Sequence, residues 1–344
     1  MRIGTAEAVG LLAGYALDAW LGDPRRLHPV AGFGAAATAL EHTLYRDTRV
    51  AGTAYTAVAV GGATALGLAA AALTRRRPLA RVAVTAAATW TVLGGRTLRR
   101  EARTMAKALR SDDVPAARRR LNHLCGRDPD RLEAPELARA TVESVAENTS
   151  DAVVAPLFWG AVGGVPGLLA YRAANTLDAM VGHRNRRYGR FGSASARLDD
   201  LLNLAPSRLT ALLTIAVAPT AKGSREEARR VWERDREDHP SPNAGQCESA
   251  MAGALGVRLG GTNVYFGRTE TRPFLGDGPK PDHRHIRRAV KLSRNVGLAA
   301  VVGAAVVAAL RPRWAPRPGA ALRPRSALRP SAALRPRSAL RPGR

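Results

Sequence analysis

Cysteine is nearly absent: Cys125 and Cys247 are the only two in 344 residues, far apart and in neither CxxC nor Cys-His spacing. That excludes a disulfide framework and a zinc site, leaving reduced, structural thiols. A Walker A loop, an HExxH helix and a G-x-S-x-G elbow are also missing. The common nucleotide-loop, metalloprotease and hydrolase assignments go with them. No small-residue cleavage pattern follows the N-terminal apolar run, which passes straight into LDAWLGDP. It reads as a retained membrane segment and not as a signal peptide.

Charge is missing where it matters most. Residues 51–73 and 152–171 contain no charged side chain, and each reaches the roughly 20 apolar residues that a spanning helix needs. Shorter runs at 3–17, 82–95, 209–221 and 296–310 bring the expected total to four to six membrane segments. The first of these contains Glu7. A mean hydropathy of −0.16 hides this pattern because arginine is so frequent. The expected fold is all-α: a multi-pass integral membrane helical protein with polar cytoplasmic loops. Residues 1–310 form its membrane-embedded domain, with a small extramembrane helical insertion at about 96–150.

Acid is missing from the C-terminal stretch. Residues 311–344 carry ten arginines, no carboxylate side chain and a near-verbatim SALRPRSALRP repeat. Proline and low aromatic content argue for disorder there. Its arginines suit anionic lipid, at about 1 kcal/mol per basic residue near the surface; the plain alternative is a dispensable extension. The net charge of +25 would otherwise suggest nucleic acid. Ten of those charges lie in the tail, and much of the rest flanks apolar segments as the positive-inside rule describes. Membrane lipid is the expected partner, with no nucleic acid.

Several landmarks organise the remainder. GDPRRLHPVAGFG takes the chain out of its first helix. TRRRPLAR reads as the cytoplasmic connection of a helical hairpin and serves as the orientation mark. Residues 96–110 hold six basic side chains against Glu101, and strict alternation puts them outside, so one earlier segment is expected to fall short of spanning. The GGVPG run at 163–167 implies either a broken, re-entrant element or a kinked ordinary span. After an amphipathic charged helix at 222–240, HPSPNAGQCESAMAGALGVRLGGTNVYFG reads as a loop-rich binding surface.

Between the apolar segments, YRAANTLDAMVGHRNRRYGRFGSASARLDDLLNL concentrates ionisable residues. Asn175 with Asp178, and Asp199 and Asp200 with Asn203, sit one helical turn apart, while Arg172, Arg184 and Arg187 offer donors suited to phosphate. Upstream, Glu143, Glu147 and Asp151 are spaced i, i+4, i+8 on one helical face. Their mutual repulsion would be relieved by a divalent cation, and Mg²⁺ takes one or two protein carboxylates plus phosphate oxygens. A solvated helix face is the alternative. His28, His183 and His239 lie beside proline or glycine, where a neutral imidazole can accept a proton.

LDAWLGDPRRLHPVAGFG, the long block from VESVAENTSDAVVAPLFWG to LDDLLNLAPSRLTALL, and HPSPNAGQCESAMAGALGVRLGGTNVYFG together resemble the signature blocks of adenosylcobinamide-phosphate synthase, the CobD/CbiB family of cobalamin biosynthesis. The likeness runs from about residue 17 to about 310. It implies a multi-pass enzyme of the cytoplasmic membrane, its active site facing the cytoplasm, which joins adenosylcobyric acid, a corrinoid, to (R)-1-amino-2-propanol or its O-phosphate. ATP and Mg²⁺ would drive amide formation, and other membrane enzymes of cobalamin assembly would be partners. On that footing Glu143, Glu147 and Asp151 are expected as metal ligands, and Glu147, Asp178, His183, Asp199 and Asp200 as catalytic groups. Arg172, Arg184 and Arg187 would hold phosphate, and Asn175 and Asn203 the neighbouring substrate. Asp23, His28, Ser241, Asn243, Asn263 and Tyr265 would face the corrinoid or nucleotide. Two other classes use similar features: an intramembrane Mg²⁺-dependent prenyltransferase, and a non-enzymatic transporter or sensor with broken helices.

Overall fold

The computed structural model describes residues 1–23, 28–183, 185–265 and 268–311, with 263–265, 268 and 269 as backbone only. Expectations for Arg184, for the side chains of Asn263 and Tyr265, and for the tail at 312–344 lie outside the described residues. In order come α1 (Ile3–Leu21), α2 (Pro29–Leu44), α3 (Arg49–Leu73), α4 (Pro78–Val92), α5 (Gly95–Arg110), α6 (Val114–Leu121) and α7 (Ala134–Thr149). A π-helical turn (Ser150–Val154) leads into α8 (Ala155–Val181), followed by α9 (Ser193–Val217), a 3-10 turn (Ala218–Ala221), α10 (Arg225–Asp235) and α11 (Ala244–Leu255). Strands β1 (Leu259–Tyr265) and β2 (Arg268–Leu275) precede α12 (His283–Leu310).

Local chemistry starts these helices. Proline occupies the first turn of α2, α4, α6 and α7, where its missing N–H costs nothing and its fixed φ already fits. Thr48 caps α3 through its hydroxyl, and Asp282 with His285 forms a reciprocal box on α12. The all-α expectation holds except for the antiparallel β1–β2 ribbon, with its irregularity between Leu259 and Gly261. Backbone pairing takes over where the sequence had suggested loop.

Among the described residues, four helical stretches are long and apolar enough to cross a membrane: Arg49–Leu73, Ala134–Val181, Ser193–Ala221 and His283–Leu310. The second does not run straight. At Gly164 the backbone takes φ 63° and ψ −148°, a conformation that a Cβ makes costly. The chain then folds back so closely that a Cβ on Gly167 would lie 2.2 Å from the Trp159 carbonyl oxygen. Farther along, the Tyr171 hydroxyl approaches the Asp151 carbonyl at 3.3 Å across 20 residues, a separation of about 30 Å in a straight helix. The chain from 152 to 181 is therefore a re-entrant hairpin that turns at Gly164. Its limbs, about 18 and 24 Å long at 1.5 Å per residue, fall short of the ~30 Å hydrocarbon layer.

The hairpin tip is buttressed by ion pairs. Glu7 of α1 meets Arg81 of α4 at 3.1 Å and also Arg311, which in turn donates to the carbonyls of Ala161 and Val162. Arg81 also caps the end of α3 by donating to Ala71 O at 2.6 Å. Thus the TRRRPLAR turn sits at the tip end of the bundle, whereas both open ends of the hairpin, Asp151 and Asp178, lie at the other. An acidic site facing the cytoplasm and a cytoplasmic TRRRPLAR turn exclude each other. Of the turn's arginines, Arg81 is buried and spent on structure, whereas Arg75, Arg76 and Arg77 are exposed.

Three apolar cores carry this arrangement. One joins α1, α4, the first hairpin limb and the second half of α12 around Leu11, Leu157 and Val296. Another packs α2 and α3 on the second limb through Tyr55, Leu177 and Phe191. The largest lies among α5, α6, α7, α10, α11 and the start of α12, around Met105, Leu137, Val142 and Met251. Its helices α5, α6 and α10 carry charged outer faces, the composition of an extramembrane layer.

Candidate functional site

The π-helical turn decides which acids meet. It interrupts the α7–α8 register, and such turns recur at functional sites. Glu143, one turn earlier, is taken up entirely by structure: Arg127 contacts it at 2.8 Å, Arg139 at 3.1 Å, and the Gly260 N–H donates to it at 2.8 Å. Its expected metal role therefore has no free oxygen to rest on. Instead it ties β1 to α7. Glu147 and Asp151 point elsewhere, into a cavity of about 180 Å³.

Five carboxylates line that cavity: Glu147, Asp151, Asp178, Asp199 and Asp200, joined by Ser150, Asn203, Ser207, Ser241, Asn243 and Cys247. They come from the end of α7, the π turn, the end of α8, the first part of α9, and the start of α11 with the turn before it. Asp199 is held by two amides, accepting from Asn175 at 3.2 Å and from Asn203 at 3.0 Å. Tyr171 donates to the Asn203 amide oxygen at 2.9 Å, which fixes the amide so that its N–H₂ faces the acid. On the opposite wall Asn243 donates to the Asp200 carbonyl at 2.9 Å and accepts from Ser207 at 3.1 Å. Neutral donors hold the acids in place, and no lysine or arginine is among the described residues lining the cavity.

Behind Glu147 stands a residue that the sequence reading missed. Glu248 of α11 is only 1% exposed, and its carboxyl lies against Glu147 with no other hydrogen-bond donor among the described residues. Burial, reinforced by the Glu147 and Glu143 charges, pushes its pKa well up, which favours the protonated form that can donate to Glu147. His239, 4.0 Å away, is held below its usual range by burial and by Arg272. It accepts from the Ser241 N–H at 3.0 Å and so shapes the Ser241–Asn243 turn. The missed signal was one carboxylate inside the otherwise small and neutral run AGQCESAMAGAL. Tyr171 was overlooked for another reason, since nothing local reveals a partner 32 residues away.

The other expected site residues are dispersed. Arg187 pairs with Glu41 at 2.9 Å and stacks over Tyr45. His28 caps α2 by accepting from Val30 at 3.1 Å. His183 is exposed beyond the end of α8. Asp23 has a buried oxygen without a partner, and Arg172 borders a separate apolar cleft of about 520 Å³ with its Nε unpartnered. That cleft is larger but has no carboxylate in its wall, so the acid chemistry is confined to the smaller cavity.

Among the described residues no group of three histidine, cysteine or carboxylate side chains is preassembled around a metal position. The donor set nonetheless fits Mg²⁺, which needs only one or two carboxylate oxygens and completes its octahedron with water and phosphate. Asp151, Asp178 and Asp199 supply hard oxygens with no ion pair of their own among the described residues.

A family model described as CobD/Cbib protein matches residues 11–293. This chain belongs to the CobD/CbiB family. Among curated members, a protein named cobalamin biosynthesis protein CobD from Mycobacterium tuberculosis is 53% identical over 305 residues, covering 88% of this chain and 95% of its own. Relatives of the same name from Geobacter metallireducens and Chromobacterium violaceum are 47% and 44% identical, over 88% and 80% of this chain and 97% and 88% of theirs. No solved structure matches. The CobD match begins within α1 and ends within α12, so the hairpin and the acidic cavity both lie inside it.

Proposed function

We propose that this CobD-family chain is the ATP-dependent, amide-forming step of cobalamin biosynthesis, joining a propionate carboxyl of adenosylcobyric acid to (R)-1-amino-2-propanol or its O-phosphate. Its product is adenosylcobinamide or adenosylcobinamide phosphate. The observation that carries the reading is the convergence of five carboxylates, braced by neutral amides, on one cavity without a lining cation. Such a site attracts an ammonium group and a metal–phosphate complex. Both belong to this reaction.

A cavity of about 180 Å³ accepts a small amine or a phosphate but not a corrin ring. The macrocycle stays outside and presents only its side-chain carboxyl. ATP makes that carboxyl a better electrophile, the amine nitrogen attacks the acyl carbon, and the activating group departs as the amide forms. The amine arrives protonated, so a pocket carboxylate must accept its proton first; Asp199 and Asp178 stand in that position. Mg²⁺, when held by Asp151 and its neighbours, supplies charge neutralisation for the phosphates. Glu248 tunes Glu147 by sharing a proton.

The charge bias of the cavity end, with the arginines of α5 and the start of α12, supports a cytoplasmic orientation, where ATP is available. Purified protein in detergent, given adenosylcobyric acid, the amine or its phosphate, ATP and Mg²⁺, should form an amide only with all components present. Amide formation that persists at wild-type rate in Asp199→Asn, or that needs no nucleotide, would sink the proposal.

A further inference from the structure

Opposite in charge to the acidic cavity, a groove between α5 and α12 gathers cations. Arg99, Arg100 and Arg103 face Arg287, Lys291 and Arg294 across two joined cavities of about 510 and 330 Å³, which share Arg103 and Arg294. The spacing i, i+4, i+7 puts the α12 cations on one helical face, and like charges so placed repel. Arg100 is offset by Glu101 at 3.2 Å. No ion pair reaches Arg99, Arg103, Arg287, Lys291 or Arg294 among the described residues. The residues outside that set add no acidic side chain.

The groove also has a floor. Arg99 lines the cavity and is 5% exposed, and its Nη1, turned toward Gly95, is buried without a hydrogen-bond partner among the described residues. Asp18, the nearby carboxylate, attracts the Arg99 charge but gives its hydrogen bond to the Arg96 N–H. An unsatisfied, buried guanidinium at the base of an arginine-lined cleft costs folding free energy unless something accepts from it. The groove lies where α1 leaves the bundle, beside Trp20, which is 74% exposed, and the exposed Leu298. Exposed tryptophan at such a border marks headgroup depth.

We propose that this groove binds a phosphate-bearing anion, with Arg99 as the buried anchor and Arg103, Arg287, Lys291 and Arg294 as the enclosing donors. Arginine forks match phosphate oxygens geometrically. No lining residue is shared with the acidic cavity, so the site stands or falls apart from the amide-forming reading. Its depth admits two sources of one chemistry: the headgroup of an anionic lipid, or a soluble polyphosphate.

Full-length protein is compared with R103Q/R294Q and with K107Q/R110Q, which removes the same charge from exposed positions of α5 outside the groove. In one arm, tripolyphosphate with EDTA is titrated into protein in neutral detergent. In the other, retention of phosphatidylglycerol over phosphatidylcholine from mixed nanodiscs is read by native mass spectrometry. One arm should show binding that weakens by about tenfold per groove arginine removed, while K107Q/R110Q behaves as wild type. The responding arm names the source. If R103Q/R294Q does not fold, R287Q/K291Q gives the same reading from the other wall. Wild-type protein binding in neither arm, groove variants equal to wild type, or a control that weakens as much would each overturn the site.

Discussion

Two sets of buried acids in this molecule have opposite surroundings. Glu7 and Glu143 are each gripped by two arginines, whereas Asp151, Asp178 and Asp199 stand together with amides, hydroxyls and one another. A carboxylate whose charge is already matched can only hold elements together. One whose charge is left over can bind something that comes and goes. Glu143 and Glu147 are four residues apart on α7 and fall on opposite sides of that line.

Breaking the matched set should have the largest effect on stability. Glu143→Ala leaves Arg127 and Arg139 buried without their anion, a loss of about 3–5 kcal/mol, and should lower the thermal midpoint in detergent by many degrees. Asp199→Asn should do the reverse: amide formation falls roughly hundredfold or more, as expected when an acid–base group is removed, while the midpoint holds or rises because repulsion is relieved. If the first variant is as stable as wild type, or the second unfolds, the contrast is wrong.

Smaller effects test the scaffold between the two sets. Gly164→Ala forces a side chain into the hairpin reversal at φ 63°, at about 1–3 kcal/mol; both midpoint and activity should drop, since the two limbs deliver Asp151 and Asp178. Glu248→Gln should be the mildest and depends on pH. Glu248 titrates well above its ordinary 4.5, so the folded state holds a proton that the unfolded state has lost. Its contribution to stability therefore weakens as pH climbs above about 4.5. The variant carries no such burden. Its midpoint should gain on wild type steadily from pH 5 to pH 8, and a constant difference across that range would place Glu248 in solvent.

Much of this was legible without coordinates. The uncharged run at 51–73 foretold a membrane-length helix, GGVPG foretold a break in the other, and the polar block at 171–204 foretold Asp178, Asp199 and Asn203 side by side with Asn175. Arg187 and His28 misled for a physical reason: a cationic or imidazole side chain in a polar loop looks the same whether it will bind ligand or cap a helix and pair with Glu41. The spacing of Glu143, Glu147 and Asp151 misled at Glu143 alone, because a shared helical face does not reveal that Arg127, Arg139 and the Gly260 N–H will claim that acid.

What the sequence settled alone was composition-driven: apolar length, helix starts, the family, and which acids lie within a turn of an amide. Periodicity and chain length fix those, because they are local. Only tertiary structure decided that the hairpin returns, that TRRRPLAR lies at the end away from the acids, that α11 brings Glu248 up behind Glu147, and that α5 and α12 set their arginines face to face. Each of these rests on contacts between residues far apart in the chain. Electrostatics acts through space, and only folding determines which charges become neighbours.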